Sequence, residues 1–191
     1  MKRWLVVVPF MSMLAIPALA EEPMSGVGGH PQGTWELNLT SDFSEGFSTS
    51  VGYYAVDNLS AILLASLSNS TAEAAGFPSL DTTDLVVGVG LEQNVPISQT
   101  VTPFVGVQVQ YLDSTDDDFD SLTGTVDEMH LTGTFFVVSG GLKFTAGTRS
   151  SVNVGLSYSV GTVAAEFNGT PAPDTDLTDF DISLGYSLYF R

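Results

Sequence analysis

Apolar and polar residues alternate along this chain with a period of two, the signature of strands whose successive side chains point to opposite faces. Eight segments carry it: residues 34–42, 47–56, 60–68, 84–91, 101–111, 130–144, 152–162 and 180–190. In the seventh, Val152, Val154, Leu156, Tyr158 and Val160 alternate with Asn153, Gly155, Ser157, Ser159 and Gly161. In the eighth, Phe180, Ile182, Leu184, Tyr186, Leu188 and Phe190 alternate with Asp181, Ser183, Gly185, Ser187 and Tyr189. Two segments are ambiguous. In the third, Ala61, Leu63 and Leu67 compete with Ile62 and Leu64; in the sixth, Phe135-Phe136-Val137-Val138 breaks the alternation. Helical periodicity is absent, so the fold class is all-β.

The connections differ in length. Residues 57–58, 93–99 and 145–150 are short, whereas 69–83, 112–129 and 166–179 are long; the first connection, 43–46, is the exception. Alternating short turns and long loops predict an antiparallel up-and-down barrel of eight strands over residues 34–191. Residues 21–33 are rich in Gly and Pro and read as a flexible arm before it.

A barrel with this pattern either faces water, with its apolar rows inside, or faces lipid, with those rows outside. Charge placement favours lipid. Only 14% of residues are charged, against about 25% in ordinary soluble domains. The polar rows hold Ser, Thr, Gly, Asn and Gln, which suit the crowded bore of an eight-stranded barrel. Trp35, Tyr53, Phe144 and Phe190 fall at one end of the strands, and Phe43, Phe47, Tyr111 and Phe180 at the other, as the two girdles of a membrane barrel do.

The start of the chain agrees. Lys2 and Arg3, an apolar run, and the small-x-small triplet Ala18-Leu19-Ala20 predict a cleaved secretory signal over residues 1–20, with Ala18 and Ala20 marking the cleavage site. Cleavage leaves three basic residues, Lys143, Arg149 and Arg191, against all 22 acidic ones, a net charge of −19. Such a chain repels nucleic acid. With no cysteine, its stability comes from closure rather than from disulfides.

Two motifs carry a resemblance. Ser183-x-Gly185-x-x-Leu188-x-Phe190 resembles the terminal signal that outer-membrane barrels present to the barrel assembly machinery, with Arg191 as an extra residue. Gly52-Tyr53-Tyr54-Ala55-Val56-Asp57-Asn58-Leu59-Ser60 resembles the hairpin between the second and third strands of the small eight-stranded outer-membrane barrels typified by OmpX, OmpW and the membrane domain of OmpA. The resemblance implies a non-catalytic envelope protein of the bacterial outer membrane with a structural, adhesive or envelope-integrity role, or else a narrow channel for ions or small hydrophobic molecules. Its partners would be outer-membrane lipid, lipopolysaccharide and the assembly machinery.

Three constellations bear on chemistry. Asp116, Asp118, Asp120 and Asp127 imitate a calcium loop, but Ser121 and Asp127 stand where that pattern wants Gly and Glu. The stretch reads as a solvated acidic loop in which divalent cations would bridge to lipopolysaccharide phosphate. His130, the only histidine of the barrel segment, sits near the outer end of strand six and reads as a rim residue bonded to loop acids; the remote alternative is an outer-rim lipid-modifying enzyme. Lys143 is a lone inward cation at the depth of Glu36, which predicts a lumen ion pair. No cofactor is expected.

Overall fold

The computed structural model describes residues 29–42, 47–72, 80–120 and 125–191. Its strands are β1 (Trp35–Asp42), β2 (Phe47–Val56), β3 (Leu59–Ala72), β4 (Leu80–Asn94), β5 (Val101–Asp120), β6 (Thr125–Gly147), β7 (Ser150–Phe167), β8 (Thr170–Pro171) and β9 (Thr175–Phe190). Strands β1 to β7 pair antiparallel in sequence order, β7 pairs with β9, and β9 returns to β1. The ring of eight strands is thereby closed, and β8 is a two-residue ladder folded against the end of β7. Closure matters because hydrocarbon offers no partner to an open sheet edge.

The faces decide between lipid and water outside. Leu63, Leu67, Val89, Leu91, Leu156, Phe180 and Ile182 all stand about half exposed or more on the outer surface. The buried positions are instead largely polar: Glu36, Ser60, Glu92, Asn94, Lys143, Ser151, Asn153 and Ser187. The two ambiguous segments fall into line. Leu63 and Leu67 point out while Ile62 and Leu64 line the bore; Phe136 and Val138 point out while Val137 is buried. Phe104 and Phe135 also turn inward, and glycine makes room for them. A Cβ on Gly141 would stand 2.8 Å from the Phe104 ring, and one on Gly161 would stand 2.5 Å from the Phe135 ring.

Aromatics gather at the lower end, where Trp35 pairs in register with both Tyr53 and Phe190. The Trp35 and Tyr53 rings lie 4.8 Å apart. Phe47, Tyr111 and Phe180 stand on the outer surface towards the other end; Phe43 lies outside the described residues.

The long loops are where the expectation fails. Most of residues 69–83, 112–129 and 166–179 are strand: β5 continues to Asp120 and β6 begins at Thr125, with Asp117 opposite Glu128 and Asp120 opposite Thr125. A membrane strand needs about 9–11 residues, whereas β5 has 20 and β6 has 23. The excess forms hairpins that rise above the apolar band. Above the band the faces are no longer divided between lipid and a crowded bore, so the ladder persists without the alternation that would reveal it. Asn168 and Gly169 close one such hairpin with φ of 49° and 74°, the left-handed pair that a two-residue hairpin turn requires. At the opposite end Asn58, with φ of 64°, makes the predicted Asp57–Asn58 turn.

The rim is uneven. β1 ends at Asp42 opposite Ser183, and among the described residues Thr175–Phe180 of β9 pair only with β7. Beyond Ala65, β3 likewise pairs only with β4.

Candidate functional site

Lys143 points into the lower bore because its outward neighbours Leu142 and Phe144 belong to the apolar row. It is 3% exposed, and a buried ammonium needs charge partners. Two reach it. Its Nζ lies 2.8 and 3.0 Å from the Glu36 carboxylate oxygens of β1 and 2.6 Å from Glu92 Oε1 of β4. The Phe104 ring stands 5.5 Å away from the same ammonium.

Each carboxylate is held from a second side. Tyr54 donates its hydroxyl to Glu36 Oε2 at 2.7 Å, and Ser187 donates to Glu36 Oε1 at 2.5 Å. Asn94 donates to Glu92 Oε1 at 3.0 Å and to the Tyr54 hydroxyl at 3.1 Å. Asn153 donates to Ser187 Oγ at 2.7 Å, and Ser151 joins Asn153 to the Tyr189 hydroxyl. One connected layer thus crosses the bore from β1 through β2, β4 and β6 to β7 and β9. Two carboxylates share one ammonium, and every charge is hydrogen-bonded.

Lys143 borders a cavity on each side of this layer. The upper cavity, about 280 Å³, runs between hydroxyls such as Ser50, Ser157 and Ser183 and a wall that includes Ile62, Leu64 and Val137. The lower one, about 100 Å³, is bordered by Thr102, Thr145, Ser151, Tyr189 and His30.

The sequence pattern does not place His30 here. Residues 29–33 belong to the stretch expected to be a loose arm, yet they are fastened across the lower mouth. His30 exchanges two hydrogen bonds with Asn58, donating its N–H to Oδ1 and accepting the Asn58 N–H, both at 2.8 Å. Gln32 N–H bonds Asp57 Oδ1 at 2.7 Å, and Gly33 N–H bonds the Tyr54 carbonyl at 2.9 Å. The imidazole stacks on Tyr189 at 4.2 Å and tilts against Tyr54 at 4.9 Å. Burial first, and then the neighbouring Lys143 ammonium, lower its pKa to about 4 against an opposing pull from Glu36, so the ring is neutral at pH 7.

Comparison with known proteins rests on the same architecture. The family profile described as "Outer membrane protein beta-barrel domain" matches residues 6–190. This chain belongs to that family. It is therefore an outer-membrane β-barrel protein of the Gram-negative type. Among solved structures, this outer-membrane barrel is similar to OprG of Pseudomonas aeruginosa, at 14% identity and a TM-score of 0.60 over 87% of this chain and 100% of that one. Neisserial surface protein A matches at 17% identity and a TM-score of 0.52, over 87% and 100%. The N-terminal barrel domain of Pseudomonas aeruginosa OprF matches at 15% and 0.50, over 84% and 100%. No curated protein sequence matches the chain.

The remaining candidates of the barrel are placed as follows. His130 Nε2 lies 2.9 Å from Asp113 Oδ1 on the outward row, both side chains well exposed. Asp116 accepts from Thr82 Oγ1 at 2.6 Å, and Asp127 accepts from Asn168 Nδ2 at 2.8 Å. Residues 116–120 form extended strand instead of a loop wrapped round an ion; the side chains of Asp118 and Asp120 lie outside the described ones. Among the described residues no three His, Asp or Glu side chains converge as metal ligands. Of the terminal motif, Ser183 and Gly185 face the bore, while Phe190 stands on the outer surface. Ala18 and Ala20 lie outside the described residues.

Proposed function

We propose that this outer-membrane barrel is a non-catalytic envelope protein that works through its outer sheet, with a bore closed by the Glu36–Lys143–Glu92 layer. The observation that carries the reading is that layer. A channel at rest needs a continuous wet path, and here a hydrogen-bonded network spans the full width of the bore between the two cavities. Among the described residues the backbone of Thr175–Phe180 is paired on one side only, by β7, and such a sheet edge is a template for another extended chain. An adhesive or structural role at the cell surface uses that sheet. Lipid meets the outward apolar rows, and divalent cations shared between the hairpin acids and lipopolysaccharide phosphate would offset the repulsion between them. Planar-bilayer recording of the purified barrel tests the closed bore: a silent bilayer is expected, and stable conductance steps would overturn the reading.

A narrow channel is the second reading, favoured by the upper cavity, which reaches Lys143 from the outer side. It requires the layer to open, so conductance that is absent in the native barrel and present after Glu36→Gln or Glu92→Gln would favour it.

A further inference from the structure

The segment that crosses the lower mouth has a feature that an inert plug does not need. His30 Nδ1 is buried without a hydrogen-bond partner among the described residues. Most buried polar atoms are paired, and a proton on this ring would put a charge where Nδ1 has no partner among the described residues. The described residues hold it from several sides. Tyr54 of β2 and Tyr189 of β9 cover its ring. Asp57 and Asn58 of the β2–β3 turn hold the backbone of residues 30 and 32. Lys143 of β6 borders the same lower cavity, and Glu36 of β1 and Glu92 of β4 lie behind Lys143. The nearest carboxylates are thus already committed to an ammonium and to hydroxyl and amide donors.

We propose that residues 29–34 are an acid-released strap, docked over the underside of the ion-pair layer by neutral His30 and freed when that ring takes a proton. A second positive charge entering the space beside Lys143 meets, among the described residues, only carboxylates already bonded to other donors. The protonated ring is better solvated in the periplasm. Release breaks the backbone hydrogen bonds to Asp57, Asn58 and Tyr54 and opens the lower cavity to water, while Lys143 keeps Glu36 and Glu92.

The sign follows from the two states. The docked ring titrates near 4 and a free one near 6.5. The released strap therefore binds more protons between those values, and docking weakens as pH falls through that window. Above it docking does not depend on pH.

The chain has no cysteine, so Gln32→Cys gives a single attachment point for a nitroxide on the exposed part of the strap. Spin-label mobility of the full barrel in lipid bilayers is then read from pH 8 to pH 4. We expect an immobile spectrum at neutral pH and a reversible shift to a mobile one with its midpoint between about 4 and 6.5. No shift down to pH 4 would overturn the proposal. His30→Phe in the same background keeps an aromatic face and removes the titration. A spectrum that does not change with pH in that variant, docked or released, leaves His30 as the switch. A transition that survives in it assigns the titration to Asp57, Glu36 or Glu92 and overturns the proposal.

Discussion

The lower bore and the outer hairpins are built from the same antiparallel ladder but solve opposite problems. Inside, two carboxylates and an ammonium sit in a space without bulk water, so each must be met by a named partner: Tyr54 and Ser187 for Glu36, Asn94 for Glu92. Outside, Asp113, Asp116, Asp127 and Glu166 stand in or near water and need little from one another. The pair His130–Asp113, at 2.9 Å, is nearly as short as Lys143–Glu36 at 2.8 Å. Distance alone does not rank them; burial does. The same spacing fixes the interior in one region and leaves the exterior free to change in the other.

The comparison can be broken most directly at Lys143. Lys143→Met strands two buried carboxylates, and we expect a loss of about 3–5 kcal/mol in urea unfolding of the barrel; unchanged stability would remove the interior from its special position. Next comes Gly141→Ala, whose Cβ would meet the Val154 carbonyl and the Phe104 ring. Crowding of that kind costs about 1–3 kcal/mol, read as a lower temperature for loss of the heat-sensitive mobility shift on detergent gels. The two acids sharpen the picture further. Glu36 accepts from Lys143, Tyr54 and Ser187, whereas Glu92 accepts from Lys143 and Asn94. Glu36→Gln should therefore cost more than Glu92→Gln, by about 1 kcal/mol for the extra charged hydrogen bond. Equal losses would show that the network does not share its load as the geometry implies. The smallest effect is expected outside: His130→Ala should move stability by less than about 0.5 kcal/mol and leave lipid A composition unchanged. An altered lipid A would point to chemistry at the rim.

How much of this was legible in the sequence depended on whether lipid or the crowded bore constrained the residue. Where a strand crosses the apolar band, each position is forced to one side, and the alternation of Val152 to Val160 or Phe180 to Phe190 states the face outright. Above the band the constraint is gone, which is why the extensions of β5 and β6 read as loops. Lys143 and Glu36 were readable as inward charges at one depth. Glu92 was not, because the fourth segment ended at Leu91; one more step of the same alternation turns it inward. Tyr54 and Tyr189 lay on the correct row, but nothing local says that a tyrosine hydroxyl meets a carboxylate on another strand. His30 was the hardest. Its place depends on two rings from opposite ends of the chain, and its own neighbourhood is a Gly/Pro stretch that encodes no regular element.

Formal charge is uneven along the barrel axis. At the lower end Lys143, Arg149 and Arg191 are balanced by Glu36, Glu92 and Asp57, while the hairpin carboxylates gather at the far end without basic residues among them. Inverting the finished barrel would drag that whole acidic crown through hydrocarbon, where each ionised group is opposed by several kcal/mol. Orientation, once set during insertion, is therefore irreversible on any cellular timescale, and the molecule behaves in the membrane as a permanently poled object.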